Sequence, residues 1–361
     1  MSNTSKRLAY ADMMKGISIL GVVFFHLLAP CGAKTVLDHL IDSLLIVFFF
    51  FSGFFYRPGK RTLWENIKNR FKATMIPFLR FSLAFWAIGT VYLLIVGQET
   101  IMEALWCLRN FFGGCIWNRV VQGWFGWEYH SLGSRYMYLA DFWFLLALML
   151  SSILFFPVAD AVLSSRVKTG AAVAVLFAIT GVLRAFAVSL PYNLQLIPFW
   201  AAFMLLGAWA GKEKVFDRVA ASGAKGWVLA VLALGVGVAV SMLHSPITNL
   251  YRGSFAEPEV VSMLLCICAT VFITFGLTSL CMLAEQAGMR VNELSWLGSN
   301  SLIVYLYHMF FAWIISTVTG FSLKYPATAD TGLVLLSLAL TLACLGLCVL
   351  RVVIEKKLKK K

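Results

Sequence analysis

The sequence predicts an all-α, polytopic integral membrane protein, a helical bundle of about ten transmembrane helices with both termini cytoplasmic. Hydrophobic residues make up 60% of the 361 residues and charged residues only 13%, well below the roughly 25% that is usual in soluble domains. The apolar residues come in runs of about 18 to 25, long enough for a helix to cross roughly 30 Å of hydrocarbon. These runs lack the alternating pattern of a transmembrane β-barrel.

Clusters of charged or turn residues separate the apolar runs and so define the predicted spans. The ten spans lie near residues 11–29, 37–56, 74–96, 139–157, 170–189, 194–211, 226–243, 259–283, 295–318 and 331–353. No long soluble segment adjoins them, so a single transmembrane domain over residues 1–361 is predicted. Within it we expect an extracytoplasmic aromatic-rich loop at 97–138 and a basic cytoplasmic tail at 354–361.

The distribution of positive charge predicts the orientation. With a cytoplasmic N-terminus, about 22 of the 30 Lys and Arg residues fall in inside segments and about 6 in outside segments, as the positive-inside rule requires. Topology therefore accounts for most of the net charge of +13, and no nucleic-acid partner is expected. The expected environment is the lipid bilayer of the inner or plasma membrane, with the chain crossing it many times.

Three ionisable side chains share one face of the first predicted span. At 100° per residue, Lys15 and His26 lie about 20° apart around the axis and about 16 Å apart along it, and Asp12 falls about 40° from His26. Such groups inside a span usually face the bundle interior or a wet cavity. Asp12 and Lys15 have the spacing of an i, i+3 ion pair. His26 is either a base able to exchange a proton near neutral pH or a neutral histidine satisfied by a neighbouring helix or the outer interface.

The predicted outer loop is rich in Trp and Tyr, among them Trp124 and Trp127. Flat aromatic faces beside hydrogen-bonding groups suit sugar rings, whereas an interfacial aromatic belt explains the same residues without a ligand. Asp141, which opens the fourth span, either orients a glycan or a histidine or complements the helix dipole.

Two further ionisable groups lie inside predicted spans. Arg184, deep in the fifth span, is a candidate for an internal partner, and His308 in the ninth span follows Tyr305 by three positions. His308 is either a site residue or a buried histidine paired with tyrosine or backbone. The eight cysteines form no CxxC pair, and most lie in apolar runs where Cys packs as a small hydrophobic residue, so no metal site is expected.

Six segments resemble motifs of membrane acyltransferase family 3, the O-acetyltransferase family. KGISILGVVFFH resembles the family's pattern of a basic residue, ten further residues and a histidine. Lys15 stands where Arg is commoner in the family, and fucose 4-O-acetylase-like members resemble this chain in having Lys there. The other segments follow in family order: FFFFSGFFYRPGKR, NRFKATMIPF, DFWFLLALML, PFWAAFMLLGAWAG and WLGSNSLIVYLYHMF.

The resemblance implies an O-acyltransferase, with acetyl-CoA or another acyl-CoA as donor substrate and no metal. The acceptor would be a hydroxyl of a cell-surface or lipid-linked glycan or of another glycolipid. The acyl group would pass to it directly or through a separate extracytoplasmic transferase. His26 would be the general base. Donor contacts would come from Lys15, Ser52, Arg57, Arg70 and Lys72, and acceptor contacts from Trp124, Trp127, Asp141, Trp143, Arg184 and His308.

Simpler explanations apply to several of these residues. The basic segment from Arg57 to Lys72, placed in a cytoplasmic loop, is also what topology alone requires. Ser52 and Gly53 also allow close helix packing. Two other functions fit ten spans with intramembrane Arg and His: a polysaccharide polymerase or membrane glycosyltransferase, and a transporter of lipid-linked glycans. The transporter usually shows inverted repeats, which the sequence does not display.

Overall fold

The computed structural model describes most of the chain. The described residues are 8–28, 31–112, 121–122, 128–129, 136, 138–139, 142–186, 190–243, 259–319 and 331–358. Their helices are α1 (Ala9–Leu27), α2 (Gly32–Phe54), α3 (Leu63–Ile95), α4 (Ile101–Phe112), α5 (Trp143–Val162), α6 (Arg166–Ala185), α7 (Ile197–Lys212), α8 (Val215–Ala221), α9 (Ala224–Met242), α10 (Glu259–Gln286), α11 (Asn292–Ser299), α12 (Ser301–Thr319) and α13 (Thr331–Leu358). A 3-10 helix covers Pro191–Leu196, and β1 (Val121–Gln122) pairs antiparallel with β2 (Glu128–Tyr129).

The all-α fold class is confirmed. Within the described ranges, ten helices are long and apolar enough to cross a membrane, and each corresponds to one predicted span. The chain is thus a multi-pass membrane protein. The cytoplasmic placement of both termini stays a prediction.

The two span boundaries that differ most from the prediction do so for local reasons. α3 begins at Leu63 rather than near residue 74, because Thr62 and Glu65 form a capping box: the Thr62 amide donates to Glu65 Oε2 at 2.8 Å and the Glu65 amide donates to Thr62 Oγ1 at 3.2 Å. Lys68, Arg70 and Lys72 therefore lie on a helix of 33 residues, and the expected cytoplasmic loop ends much earlier.

The predicted ninth span is two helices. α11 ends at Ser299 and α12 begins at Ser301. Asn300 lies between them, and its side-chain Nδ2 donates to the Trp296 carbonyl at 2.6 Å. His308 is consequently seven residues from the start of α12, closer to that helix end than the span 295–318 implied.

The chain divides into two compact units. Unit 1 contains Met1–Phe55 and Ala210–Lys361, and unit 2 contains Tyr56–Trp209. In unit 1, α1 packs against α2, α10, α11 and α12, and α9 packs along α10. Glycine permits the closest approaches: a Cβ on Gly276 of α10 would lie 2.7 Å from the Leu234 amide nitrogen of α9. Helices in lipid use such small residues to bring backbones together.

Unit 2 is built on α3, which packs against α5 and α4. Trp86 of α3 donates its indole N–H to the Ala104 carbonyl of α4 at 2.9 Å. Tyr136 bridges Thr90 Oγ1 at 2.8 Å and Glu99 Oε2 at 2.7 Å, and burial raises the pKa of this phenol well above its usual value. The predicted aromatic-rich loop therefore contains a helix, α4, and a tyrosine that bonds to α3.

Candidate functional site

The imidazoles of His26 and His308 lie side by side in unit 1. Their ring centroids are 5.5 Å apart and the ring planes are inclined by 46°. α1 positions His26 one residue before its end, and α12 positions His308 near its middle. The two residues are far apart in the sequence, and their proximity is the feature of the site that sequence reasoning missed.

The two rings differ in accessibility. His308 is fully buried, with 0% of its surface exposed, whereas His26 is half-buried. The Nδ1 atom of His308 lies 2.7 Å from the Tyr305 carbonyl oxygen. Because a carbonyl only accepts, Nδ1 must carry the hydrogen, which leaves Nε2 as the basic nitrogen of a neutral His308. A substrate can therefore reach His26 more readily than His308, whose ring is held by its own helix.

The last helix supports the segment that carries His308. Cys344 Sγ of α13 donates to the His308 carbonyl at 3.1 Å. One helical turn beyond Cys348, Arg351 Nε donates to the Tyr307 hydroxyl at 2.9 Å, with its guanidinium carbon 5.2 Å from the Tyr307 ring centroid. The apolar run around these cysteines predicts only a packing role for them. The sequence signal for this support was the i, i+4 pair Cys344 and Cys348 followed by Arg351 within an apolar run.

The other end of α1 is charged. Lys15 Nζ lies 2.6 Å from Asp12 Oδ1, and the Asp12 side chain is only 6% exposed. This confirms the i, i+3 pairing that the spacing predicts. α11 packs directly on this turn of α1, because a Cβ on Gly298 would overlap the Asp12 carbonyl oxygen and lie 2.6 Å from the Gly16 amide nitrogen.

A cavity of about 810 Å³ opens beside this charged end. It is lined by Asp12 of α1, by seven residues between Arg290 and Ser299 and by Val349 of α13. Its volume falls within the range of small-molecule sites. The first turns of α1 and the final third of α13 thus lie at the same side of unit 1, the side predicted to be cytoplasmic.

Asp42 of α2 is a buried acid that sequence analysis did not single out. It has 0% exposure, and among the residues that the structure describes neither of its carboxylate oxygens has a hydrogen-bond partner. The adjacent Ser43 Oγ lies 3.2 Å from Thr270 Oγ1 of α10. An acid inside the apolar run 37–56 is itself a signal of function, and it would have identified Asp42.

The remaining predicted donor residues are divided between the units. Ser52 is half-buried on α2 in unit 1. Arg57, Arg70 and Lys72 belong to unit 2, where Arg70 is half-buried and the other two are exposed. Each unit thus holds part of the predicted donor set.

The structure describes only some of the predicted acceptor residues, and it places those in different surroundings. Trp143 of unit 2 is buried, with its ring centroid 5.6 Å from that of Trp200. Arg184 is 7% exposed but lies in the last turn of α6, so it is at a helix end rather than deep in the span. Trp124, Trp127 and Asp141 lie outside the described residues.

The paired imidazoles can accept, hold and return a proton, which is the chemistry of general acid–base catalysis. His26 is the more exposed of the two rings, and the fully buried His308 lies against it from within the protein. Across the described parts of the chain, no group of three His, Cys, Asp or Glu side chains converges in a way that could hold a metal ion.

The family model for an acyltransferase domain, that of acyltransferase family 3, matches residues 8–352. Comparisons with curated proteins and with solved structures give no significant match. The family match spans nearly all of the chain and includes both ends of α1 and the whole of α12. The chain therefore belongs to acyltransferase family 3 and is a membrane acyltransferase.

Proposed function

We propose that the protein is an O-acyltransferase that moves an acyl group, in the first instance acetyl, from acyl-CoA to a hydroxyl of a cell-surface or lipid-linked glycan. The observation that carries this proposal is the contact between His26 and His308, with ring centroids 5.5 Å apart, in a chain of an acyltransferase family. A thioester is already activated, so the protein must align the acceptor hydroxyl and remove its proton.

His26 is the general base in this mechanism. It takes the proton of the acceptor hydroxyl while the oxygen attacks the thioester carbonyl, and a tetrahedral intermediate forms. When the carbon–sulfur bond breaks, the same nitrogen returns the proton to the departing thiolate. The products are an ester on the glycan and free CoA thiol, so atoms and charges balance.

His308 positions and stabilises His26. Its burial fixes the ring, and the hydrogen bond from Nδ1 to the Tyr305 carbonyl sets the tautomer. A basic nitrogen on a neighbouring ring favours the imidazolium that forms on His26 during the reaction, by the same principle that an orienting group supports a catalytic histidine.

The other predicted residues enter as proposed substrate contacts. Lys15, Ser52, Arg57, Arg70 and Lys72 would serve the donor, with the basic groups on its phosphates. Trp124, Trp127, Asp141, Trp143 and Arg184 would serve the glycan, with aromatic faces against the sugar rings. Direct transfer and relay through a separate extracytoplasmic transferase are both compatible with this chemistry.

The test uses membranes that contain the full chain and radiolabelled acetyl-CoA. Label is followed into butanol-extractable lipid-linked glycan and into polymeric glycan, at equal protein levels, for the wild type, His26→Ala and His39→Ala. His39 is the matched control, since it is a half-buried histidine of α2 whose Nδ1 lies 3.0 Å from the Ser241 carbonyl oxygen.

We expect transfer by the wild type and by His39→Ala, and transfer slower by about 10²- to 10⁴-fold by His26→Ala, the usual contribution of an acid–base group. Equal transfer by the wild type and His26→Ala would remove His26 from the mechanism. Glycan elongation or movement without acyl gain would instead support the polymerase or transporter.

A further inference from the structure

We propose that Asp42 of α2 is a proton-binding site, whose carboxyl takes up a proton by way of Asp38 and holds it inside unit 1 at neutral pH. Asp42 lies near the middle of α2, a helix of 23 residues, and none of its surface is exposed. The proposed acyl transfer uses neither of these acids, so the two proposals are tested separately.

The carboxyl of Asp42 lies among helices that offer it no counter-charge. Both of its oxygens are buried, and within the described ranges neither has a hydrogen-bond partner. The sequence of α10 contains no Lys or Arg, and neither does α2 from Thr35 onwards. α9 has Lys225 in its first turn, and in α1 Lys15 pairs with Asp12 at 2.6 Å. Burial of an isolated carboxylate in an apolar interior costs far more free energy than its protonation, so an acid in this position is neutral.

The titratable groups around Asp42 come from α2 and α10. On α2, Asp38 and His39 precede Asp42 by about one turn. On α10, the Cys266 thiol is close enough to interact electrostatically with the Asp42 carboxyl. The thiol and the second carboxyl are acids and cannot neutralise a carboxylate. His39 is a base, but its Nδ1 lies 3.0 Å from the Ser241 carbonyl oxygen of α9, so its ring is held against that helix.

The surroundings favour a proton over a metal cation as the ligand. A metal cation bound to a carboxylate needs several further oxygen ligands. The hydroxyl of the adjacent Ser43 is already engaged, because its Oγ lies 3.2 Å from Thr270 Oγ1 of α10. Thr270 also hydrogen-bonds with Cys266. A proton requires none of these additional ligands, so the site suits a proton better than a metal.

The exposure of the side chains falls along α2 towards Asp42. Thr35 is exposed, Asp38 is half-buried and Asp42 is fully buried. Asp38 and Asp42 are four residues apart, so they share one helix face and lie about 6 Å apart along the axis. Asp38 can accept a proton from hydronium, releasing water, and pass it to Asp42, which leaves Asp38 ionised again. The negative charge on Asp38 then favours the neutral form of Asp42, because like charges at this spacing repel.

The test is infrared spectroscopy of the purified full-length protein in lipid at neutral pH, since the C=O stretch of a protonated carboxyl is separate from the bands of a carboxylate. Spectra are compared for the wild type, Asp42→Asn, Asp42→Ser, Asp38→Asn and Asp217→Asn. Asn is nearly isosteric with a neutral Asp, and thermal melting shows whether each variant is folded. Asp217 of α8 is the matched control, because it is an exposed acid of unit 1.

We expect the wild type, Asp38→Asn and Asp217→Asn to share a protonated-carboxyl band that both variants at Asp42 lack. In heavy water this band should move to lower frequency as deuterium replaces the proton. The move should be slower in Asp38→Asn by about 10²-fold, the contribution typical of a positioned proton-transfer group.

Three results would overturn the proposal. The first is a wild-type spectrum with no such band, or with a band that both substitutions at Asp42 leave unchanged. The second is a band that added sodium ions abolish, which would show that a cation takes the place of the proton. The third is deuterium exchange at the same rate in the wild type and Asp38→Asn, which would exclude the route through Asp38.

Discussion

At one end of α1, Lys15 and Asp12 form an ion pair of 2.6 Å beside an open cavity, whereas near the other end the half-buried His26 lies against the fully buried ring of His308. The charged end is accessible to a polar ligand. The imidazole end holds one fully buried and one half-buried histidine, the residue type most often used for proton transfer. If the donor binds at the charged end and the reaction occurs at the imidazole end, as proposed, changes at the two ends should affect different kinetic constants.

The largest effect should come from removing the close contact that fixes α11 on α1. Gly298→Ala adds a methyl group that overlaps the Asp12 carbonyl oxygen, a backbone atom that cannot rotate away, so we expect a large loss of folded protein and of thermal stability in detergent. Gly346→Ala is the matched control, because a Cβ there meets no atom within 4 Å. Equal melting temperatures for the two variants would show that α11 does not depend on this contact.

The imidazole end should determine kcat. His308→Gln keeps a polar side chain but removes the basic ring beside His26, so kcat should fall by about 10²-fold or more, the usual contribution of acid–base groups. The KM for acetyl-CoA should stay within about twofold. Steady-state kinetics with His39→Gln as control measures both constants, and an unchanged kcat in His308→Gln would exclude His308 from the reaction.

The charged end should determine KM. Lys15→Ala removes the ion pair with Asp12 and a positive charge next to the cavity. We expect the KM for acetyl-CoA to rise about fivefold with little change in kcat, and Lys15→Arg to recover most of this loss because the charge returns. If Lys15→Ala lowered kcat and left KM alone, the proposed division between the two ends would be wrong.

The smallest effect should come from the support behind His308. Cys344→Ala removes the Sγ contact to the His308 carbonyl at 3.1 Å. A thiol is a weak donor, so kcat should fall by no more than about threefold, and Cys344→Ser should retain the wild-type value. A tenfold loss in Cys344→Ala would show that α13 controls the position of the ring more strongly than this contact indicates.

Local pattern predicted much of this architecture. Each span is an apolar run whose length follows from the bilayer thickness, and the ion pair of Asp12 and Lys15 follows from helical spacing. The early start of α3 was also predictable from the local sequence, because Thr62 and Glu65 have the spacing of a capping box. Hydropathy favoured a later start because the charged first turns of this helix are not apolar.

Contacts between distant segments could not be predicted in this way. Periodicity assigns His26 and His308 each to a helix, but it does not specify which helix faces which. Their contact depends on packing choices such as the approach of Gly298 to Asp12. The cavity is likewise a product of tertiary packing and has no signature in composition, whereas the break at Asn300 accompanies a local contact with the Trp296 carbonyl.

A double-mutant cycle on His26 and His308 tests the central claim that the two imidazoles act as one unit. The kcat for acetyl transfer is measured for the wild type, His26→Ala, His308→Gln and the double variant, at saturating donor and equal protein levels. Residues that act together are strongly non-additive. If the two imidazoles act as one unit, the double variant is no slower than His26→Ala alone, and a double variant whose loss equals the product of the two single losses would contradict that claim.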